Sequence, residues 1–242
     1  MPRFFFDVTD LIENTIVIRG DDHKHLIGAL RARTGDCVTM CDGQGTDYET
    51  QIIQIDDKQT VLSVQSSSAS FSEPNVKITL FQGLSKGERM EYAFQKATEL
   101  GVHCCVPLLS SRCIAKPNDN KLRRLSTIVR EAAMQSCRGR IPEVMTPVSF
   151  KDMLSMFSTF DLVLIPFENE KELSLKKALK MNSDIQSVAV IIGPEGGFSY
   201  EEVAAVLDAG GLSVTLGPRI LRTETAPVAV ISNIIYEFEK GE

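Results

Sequence analysis

The sequence predicts an α/β protein in which a small, mainly β module precedes a larger, mostly parallel sheet with alternating helices. Beyond residue 75, short apolar strands alternate with helical segments, as strand–helix–strand units require. Before that point, stretches rich in β-branched residues recur with one helical segment among them. Residues 66–75, which read SSSASFSEPN, show neither pattern and predict a linker. We therefore expect two domains, residues 1–70 and residues 71–242.

The predicted elements follow from these periodicities in chain order. In the mainly β module, the predicted strands are residues 15–18, 37–40, 48–55 and 60–64, and the predicted helix is residues 22–33. In the α/β part, the predicted strands are residues 76–81, 102–109, 161–166, 187–192 and 212–216. The predicted helices between and after them are residues 89–100, 121–137, 172–181, 201–209 and 225–240.

The last predicted helix bears on the assembly of the protein. Pro227 lies in its first turn, where a missing amide hydrogen costs nothing. Its body, residues 228–238, is apolar almost all round, so it must be covered on more than one side. A sheet on one face and a second subunit on the other would cover it. We expect a homodimer.

Composition argues against a membrane protein and against a protein that coats nucleic acid without selectivity. No run of about 18 apolar residues could span a bilayer, and the N-terminus lacks the apolar core and cleavage site of a signal peptide. A formal net charge of -6 does not provide the broad positive surface that indiscriminate RNA binding needs. We expect a cytoplasmic protein, in which the six cysteines stay reduced.

One segment is locally basic. Residues 112–140 contain eight lysines and arginines against two acidic residues, a balance of +6. A solvated helix face with its loop and a polyanion-binding surface both explain such an imbalance. The basic residues are Arg112, Lys116, Lys121, Arg123, Arg124, Arg130, Arg138 and Arg140.

Two glycine-bracketed loops near the C-terminus indicate a small-molecule site. Residues 193–197 read GPEGG after one predicted strand, and residues 217–224 read GPRILRTE after the next. Glycines let backbone amides approach a ligand closely, and amides at a helix start can bind an anion or the edge of a purine. Neither loop matches GxxxxGK[ST] or GxGxxG, so a phosphate-cradling site is not favoured. Either loop alone could be a structural turn, but two in succession favour a ligand site at one sheet edge.

The same loops carry a family resemblance. Residues 192–199 read IGPEGGFS and residues 216–226 read LGPRILRTETA, which resembles the signature of the 16S ribosomal RNA uracil-N3 methyltransferases, the RsmE family of the SPOUT superfamily. The resemblance spans nearly the whole chain. It includes GDCV at residues 35–38, DGQG at 42–45, KGERME at 86–91 and EAAMQSCR at 131–138, and it departs from the pattern at Lys24, where a second histidine is usual.

The resemblance implies a fold and a cofactor. It implies a C-terminal SPOUT domain whose chain forms a deep trefoil knot, an N-terminal domain like the PUA RNA-binding domain, and S-adenosyl-L-methionine as cofactor. True knots are exceptional among folds, so this expectation rests on the resemblance alone. The residues implied to surround the cofactor are Leu164, Pro166, Phe167, Ile192, Gly193, Pro194, Glu195, Gly196, Gly197, Leu216, Gly217, Ile220 and Leu221.

The chemistry of the implied reaction selects two catalytic candidates. Uracil N3 is a poor nucleophile while it carries its proton, so a base must remove that proton or a cation must stabilise charge on the uracil oxygens. Arg222 and Glu224 lie in the second loop and are the candidates for these roles. Glu195 is expected to accept amide hydrogens inside its own turn, and Thr223 and Thr225 are expected to cap the last helix.

RNA contacts are expected from arginines elsewhere, because the guanidinium group is planar and permanently charged. Among them, Arg138→Ala is expected to weaken RNA binding without weakening cofactor binding. The candidates are Arg3, Arg19, Arg31, Arg33, Arg112, Arg123, Arg124, Arg138 and Arg140.

The implied partner is 16S ribosomal RNA, in the assembled small ribosomal subunit. Two alternatives remain open at this point: a SPOUT enzyme that methylates transfer RNA, and an RNA-binding module without catalysis. No metal is expected, because Cys37 and Cys41 flank a strand whose pleat does not suit zinc coordination with His23 and His25.

Overall fold

The computed structural model describes residues 3–115, 118–182 and 184–239. It forms two compact units: one takes the chain up to Glu73 together with Ala133–Ile141, and the other takes the remainder. Each unit has its own sheet. Lys116 of the basic segment and Lys240 at the predicted end of the last helix lie outside the described residues.

The first unit is built on a six-stranded mixed sheet. Its elements are β1 (Arg3–Phe5), β2 (Leu11–Ile12), β3 (Thr15–Arg19), α1 (Gly20–Lys24) continued by a π-helical turn (His25–Ala29), β4 (Cys37–Cys41), β5 (Thr46–Ile55) and β6 (Gln59–Ala69). The strand order is β1-β4-β5-β6-β3-β2, in which β1 and β4 are parallel and the other neighbours are antiparallel. One face buries an apolar core that includes Phe4, Ile16, Leu26, Ile52 and Leu62.

The four strands predicted for this unit are confirmed, but two other predictions need correction. The linker prediction is wrong for residues 66–69, because these residues extend β6. They pair with the start of β5, from Glu49 opposite Ser66 to Thr46 opposite Ala69, so the strand partner supplies hydrogen bonds that their weak strand propensity would not predict. The helical segment ends at Ala29, earlier than predicted.

The second unit contains a seven-stranded sheet in which all paired neighbours run parallel. This confirms the α/β class with a parallel sheet, and each of the five predicted strands and five predicted helices is present. The elements are β7 (Lys77–Gly83), α2 (Arg89–Glu99), β8 (Cys104–Leu109), α3 (Asp119–Gln135, whose residues from Ala133 onward belong to the first unit), β9 (Glu143–Val144), β10 (Val148–Ser149), α4 (Phe150–Ser155), β11 (Leu162–Pro166), α5 (Leu175–Lys180), β12 (Ser187–Ile192), α6 (Tyr200–Asp208), β13 (Leu212–Val214) and α7 (Thr225–Phe238).

The order of these strands positions the site. The sheet runs β10-β8-β7-β12-β11-β13, with β9 beside β8. The central strands β7 and β12 are buried along almost their whole length, as expected for parallel strands covered on both faces. The chain first adds strands on one side of β7 and later adds β12, β11 and β13 on the other, which creates a topological switch at β7 and β12.

The last helix, α7, buries one face within the second unit. Pro227, Val230, Ile231 and Ile234 are buried, whereas Tyr236 is 86% exposed. Within the described part of the chain, no helix is both long enough and apolar enough to cross a lipid bilayer.

Candidate active site

The carboxyl ends of four neighbouring strands, β7, β12, β11 and β13, meet at one edge of the parallel sheet. The loops that follow these strands enclose a cavity of about 550 Å³ and an adjoining cavity of about 300 Å³. This is the position at which open α/β sheets usually bind ligands. Both cavities are lined by Pro166, Glu168, Ile220, Leu221 and Ala226.

The structure brings most of the predicted cofactor residues together here. Leu164 is the exception: it is fully buried within β11, paired with strands on both sides, and lines neither cavity. A side chain in the middle of a central strand packs into the core and does not reach the edge. The predicted residues that line one or both cavities are Pro166, Phe167, Ile192, Gly193, Pro194, Glu195, Gly196, Gly197, Leu216, Gly217, Ile220 and Leu221.

The first loop, residues 193–197, is packed tightly against the end of β7. A Cβ atom built on Gly83 would lie 2.4 Å from the backbone nitrogen of Pro194, so only glycine permits this approach. Gly197 has a φ of +65°, and its amide donates to the Pro194 carbonyl at 2.9 Å. Glycine is therefore required at these two positions by close contact and by a left-handed turn.

Glu195 of the first loop is bonded to the segment that precedes α2. Its Oε1 accepts hydrogen bonds from the Lys86 amide at 3.0 Å and from Nη1 of Arg89 at 2.6 Å. Partial burial acts to raise the pKa of the Glu195 carboxyl, but its own amide, the Lys86 amide and the Arg89 guanidinium together lower the pKa below its ordinary value. The two hydrogen bonds of the Glu195 carboxylate therefore reach the segment before α2, outside the turn in which Glu195 is predicted to accept amide hydrogens.

Thr223 of the second loop joins the two loops. Its hydroxyl donates to the Gly193 carbonyl at 2.6 Å and accepts a hydrogen bond from Nε2 of Gln82 at 2.9 Å. The prediction that Thr223 caps the last helix is wrong, because its hydroxyl is used in these bonds. The helix cap is instead Glu224, whose side chain makes no capping hydrogen bond, and Thr225 is the first helical residue.

The two predicted catalytic residues both line the larger cavity. Arg222 is exposed, and its carbonyl accepts hydrogen bonds from the amides of Thr225 and Ala226, each at 2.9 Å. Glu224 is half-buried, and its Oε2 makes no hydrogen bond to any described residue. That oxygen lies 3.8 Å from Nε of Arg89, close enough for an ion pair but not for a hydrogen bond.

Arg89 and Glu168 line the larger cavity but were not among the predicted site residues. Glu168 lies two residues beyond the end of β11, so extending the predicted strand-end site would have included it. Arg89 begins α2, in the segment that follows β7. Its place in the site depends on β7 pairing with β12, which local sequence patterns do not reveal.

Two of the arginines predicted to contact RNA are instead committed to ion pairs inside the first unit. Arg3 forms a close, bidentate pair with Asp47, and its side chain is 8% exposed. Arg138 pairs with Glu73 at 2.6 Å, and its side chain is 3% exposed. Both predictions are contradicted, because the acidic partners cover guanidinium groups that a phosphate would need to reach.

The other predicted RNA contacts remain at the surface to different degrees. Arg124 pairs with Glu91 at 2.8 Å, and Arg19 pairs with Asp10 at 3.4 Å. The guanidinium groups of two more donate to backbone carbonyls, Arg112 to Gly196 at 2.9 Å and Arg140 to Gln44 at 2.7 Å. The predicted basic segment is therefore partly neutralised by acidic residues from outside it. The remaining three are exposed: Arg31, Arg33 and Arg123.

Comparison with known proteins identifies the family. A model of the RNA methyltransferase domain matches residues 72–235. Ribosomal RNA small subunit methyltransferase E of Bacillus subtilis (strain 168) is 33% identical, over 99% of this chain and 98% of the relative. The chain belongs to the ribosomal RNA small subunit methyltransferase E family. The predicted family and its enzyme class are thereby confirmed.

Solved structures of relatives agree with this assignment. Ribosomal RNA small subunit methyltransferase E from Neisseria gonorrhoeae, bound to S-adenosyl methionine, is 31% identical, with a TM-score of 0.87 over 96% of each chain. A methyltransferase from Legionella pneumophila, in complex with the same cofactor, is 31% identical, with a TM-score of 0.83 over 96% of each chain.

Proposed function

We propose that this protein transfers a methyl group from S-adenosyl-L-methionine to N3 of a specific uridine in the 16S ribosomal RNA of the small ribosomal subunit. Family membership supports the reaction class. The observation that carries the proposal is the cavity at the sheet edge, where the two glycine-bracketed loops bring their backbones, Arg222 and Glu224 to one place.

The residues of the cavity suit this cofactor. Apolar side chains, among them Ile192, Phe198 and Leu221, can cover a planar base, and the larger cavity has a volume within the usual range for small-molecule sites. Glu168 and Glu195 also line it, and carboxylates favour a positively charged ligand. When bound, the cofactor supplies a methyl group already activated on a sulfonium centre.

The protein must then make the uracil nucleophilic. Glu224 serves as the base that removes the N3 proton, since its Oε2 is not saturated by hydrogen-bond donors among the described residues. Arg222 stabilises the negative charge that spreads onto the uracil oxygens, because it is an exposed cation among the residues that line the cavity. Arg89 lies between Glu195 and Glu224 and orients both carboxylates.

The wider architecture is part of the proposal. The second unit takes the knotted SPOUT chain path that the sequence resemblance implies, and the all-parallel sheet of this unit is compatible with that path. The first unit, with its six-stranded sheet, serves as a PUA-like RNA-binding domain. The exposed face of α7, which includes Tyr236, supports a homodimer. The substrate is the assembled small subunit in the cytoplasm, with transfer RNA as the alternative substrate.

The test is transfer of a radiolabelled methyl group from S-adenosylmethionine to small ribosomal subunits prepared from cells that lack this enzyme. Label is expected in 16S RNA, and reverse transcription should stop at one uridine, because a methyl at N3 blocks base pairing. Label in transfer RNA in place of 16S RNA would contradict the proposed substrate, and a protein that binds no S-adenosylmethionine would contradict catalysis altogether.

Two variants test the proposed roles. Glu224→Gln and Arg222→Met are each expected to lower the transfer rate by about 100-fold while changing cofactor affinity little. Lys176→Met on α5 is the matched control, because Lys176 is exposed and lines neither cavity of the site. Transfer at the wild-type rate by Glu224→Gln would exclude Glu224 as the base.

A further inference from the structure

A buried chain of hydrogen bonds joins the central strand β7 to both loops of the candidate site. The side-chain amide of Gln82 donates to the hydroxyl of Thr223, and that hydroxyl donates to the carbonyl of Gly193. Gln82 is fully buried and Thr223 is 8% exposed. A hydroxyl carries one proton, so only the direction from amide to hydroxyl to carbonyl satisfies all three groups.

The position of Thr223 in the sequence explains why its hydrogen bonds connect the two loops of the site. Thr223 lies between Arg222 and Glu224, and Gly193 is the first residue of the other loop. One hydroxyl therefore bonds the loop that carries both proposed catalytic residues to the loop that is proposed to hold the cofactor. The backbone next to Thr223 is also held by the start of α7, because the first amides of this helix donate hydrogen bonds to the Arg222 carbonyl.

Fold stability alone does not explain an amide at position 82. The Oε1 atom of Gln82 is buried and makes no hydrogen bond within the described residues. A buried polar atom without a partner costs stability, and an apolar side chain of similar size would avoid that cost. The donation to Thr223 is the interaction that an apolar residue could not supply.

We infer that Gln82 and Thr223 are positioning residues for methyl transfer, which fix the second loop against the first so that Arg222 and Glu224 are in register with the bound cofactor. Neither residue is assigned a contact with the reacting atoms; they act through the backbone of their neighbours. The inference rests on the proposed function of the site, and it adds the residues whose hydrogen bonds join the two loops.

The test compares Thr223→Val, which keeps the shape of the side chain but lacks the hydroxyl, with Thr223→Ser, which keeps the hydroxyl. Calorimetry gives the affinity for S-adenosylmethionine without RNA, and labelled transfer gives kcat and KM for RNA. Thr223→Val is expected to lose about tenfold in cofactor affinity. It should also lose about 100-fold in kcat, because small displacements of catalytic groups are costly, with KM for RNA unchanged. Thr223→Ser should stay within about threefold of wild type in each quantity.

A second substitution tests whether the hydrogen bonds of Gln82 and Thr223 act as one unit. Gln82→Met keeps an unbranched side chain of similar length but removes the donor. The double variant Gln82→Met with Thr223→Val should lose no more than Thr223→Val alone, because both changes break one connected chain. Thr127→Val on α3 is the control, since its hydroxyl bonds only to the Arg123 carbonyl of its own helix among the contacts described.

Thermal unfolding of each variant shows whether a loss of affinity or rate comes from displaced residues in a folded protein or from unfolding. If Thr223→Val does not fold, Gln82→Met and Thr223→Ser carry the test. Wild-type cofactor affinity and kcat in Thr223→Val, equal losses in the Val and Ser variants, or additive losses in the double variant would each overturn the inference. If the wild-type protein binds the cofactor but labels no RNA, the proposed function fails, whereas the affinity comparison still tests the positioning role.

Discussion

Glu73 and Arg138 show how single charged side chains organise the first unit. Besides the ion pair with Arg138, Oε1 of Glu73 accepts hydrogen bonds from the backbone amides of Gly139 and Arg140, each at 3.0 Å. Arg138 is therefore bound to the same carboxylate that fixes the backbone on its C-terminal side. The charge of an arginine on its own therefore does not show whether its guanidinium group is free to bind a phosphate.

Arg138→Met is expected to destabilise the protein by about 3 kcal/mol, because it leaves the Glu73 carboxylate partly buried without its counter-ion. Urea denaturation measures this change. Arg33→Met, at an exposed position proposed to contact RNA, should leave the free energy of unfolding within about 0.5 kcal/mol of wild type while weakening RNA binding. Unchanged stability of Arg138→Met together with weaker RNA binding would restore Arg138 as a direct contact.

The cysteines differ in burial, and we expect their reactivity to differ for that reason. Burial raises the pKa of Cys104 to about 12 and that of Cys41 to about 11, so both thiols stay protonated at pH 8. Alkylation with iodoacetamide at pH 8, followed by peptide mass spectrometry, should modify the exposed Cys37 and Cys137 first. Cys41 and Cys104 should react only after denaturant is added. Equal rates for all four in the native protein would show that this burial is not maintained in solution.

The two loops of the site are stabilised in different ways. The first loop is fixed by close packing on Gly83, by Arg89 and Lys86 through Glu195, and by Thr223. The second loop is open to solvent over much of its length, and Ile220 is 84% exposed. From this contrast we expect the first loop to hold the cofactor and the second loop to remain accessible to RNA.

The bonds of Glu195 predict a pH dependence of the first loop. Because these bonds lower the pKa of Glu195 below its ordinary value of 4.5, their contribution is present above pH 4.5 and is lost as the pH falls through the lowered pKa. The affinity for S-adenosylmethionine should therefore be independent of this group between about pH 6 and 8 and should fall in acid. Calorimetry from pH 8 down to below pH 4.5 measures the effect.

Glu195→Gln is the matched variant for this prediction, because it keeps the shape of the side chain but has no carboxyl to titrate. Its cofactor affinity at pH 7 should be lower than that of wild type, and its further loss in acid should be smaller. An identical acid profile in wild type and Glu195→Gln would assign the loss to another group.

The elements were predicted well wherever a local period was long enough to detect. The residues of β12 were predicted without error, and α2 to within one residue, because each depends on burial of its own apolar positions. The short strands β9 and β10 were missed, since two residues carry no period. The sequence predicts a linker at residues 66–69 because the pairing that makes them a strand comes from β5.

The side-chain contacts that the sequence does not predict join residues that are distant along the chain. Arg89 and Glu195 are 106 residues apart, and Arg138 and Glu73 are 65 residues apart. The glycine loops were found because they carry a local turn signal, whereas Arg89 enters the site only through the order of the strands. The formal net charge of -6 likewise does not indicate which arginines are exposed, such as Arg31 and Arg123.

The pairing of β7 with β12 also has a consequence for how the chain folds. Lys77 lies opposite Ser187 in this pair, some 110 residues later, whereas β7 and β8 are joined by a short connection through α2. During synthesis, one edge of β7 must wait unpaired until β12 leaves the ribosome, and pairing over such a separation is slow. The ligand site is therefore completed only at the end of folding, so S-adenosylmethionine can stabilise the finished protein but cannot guide the early steps.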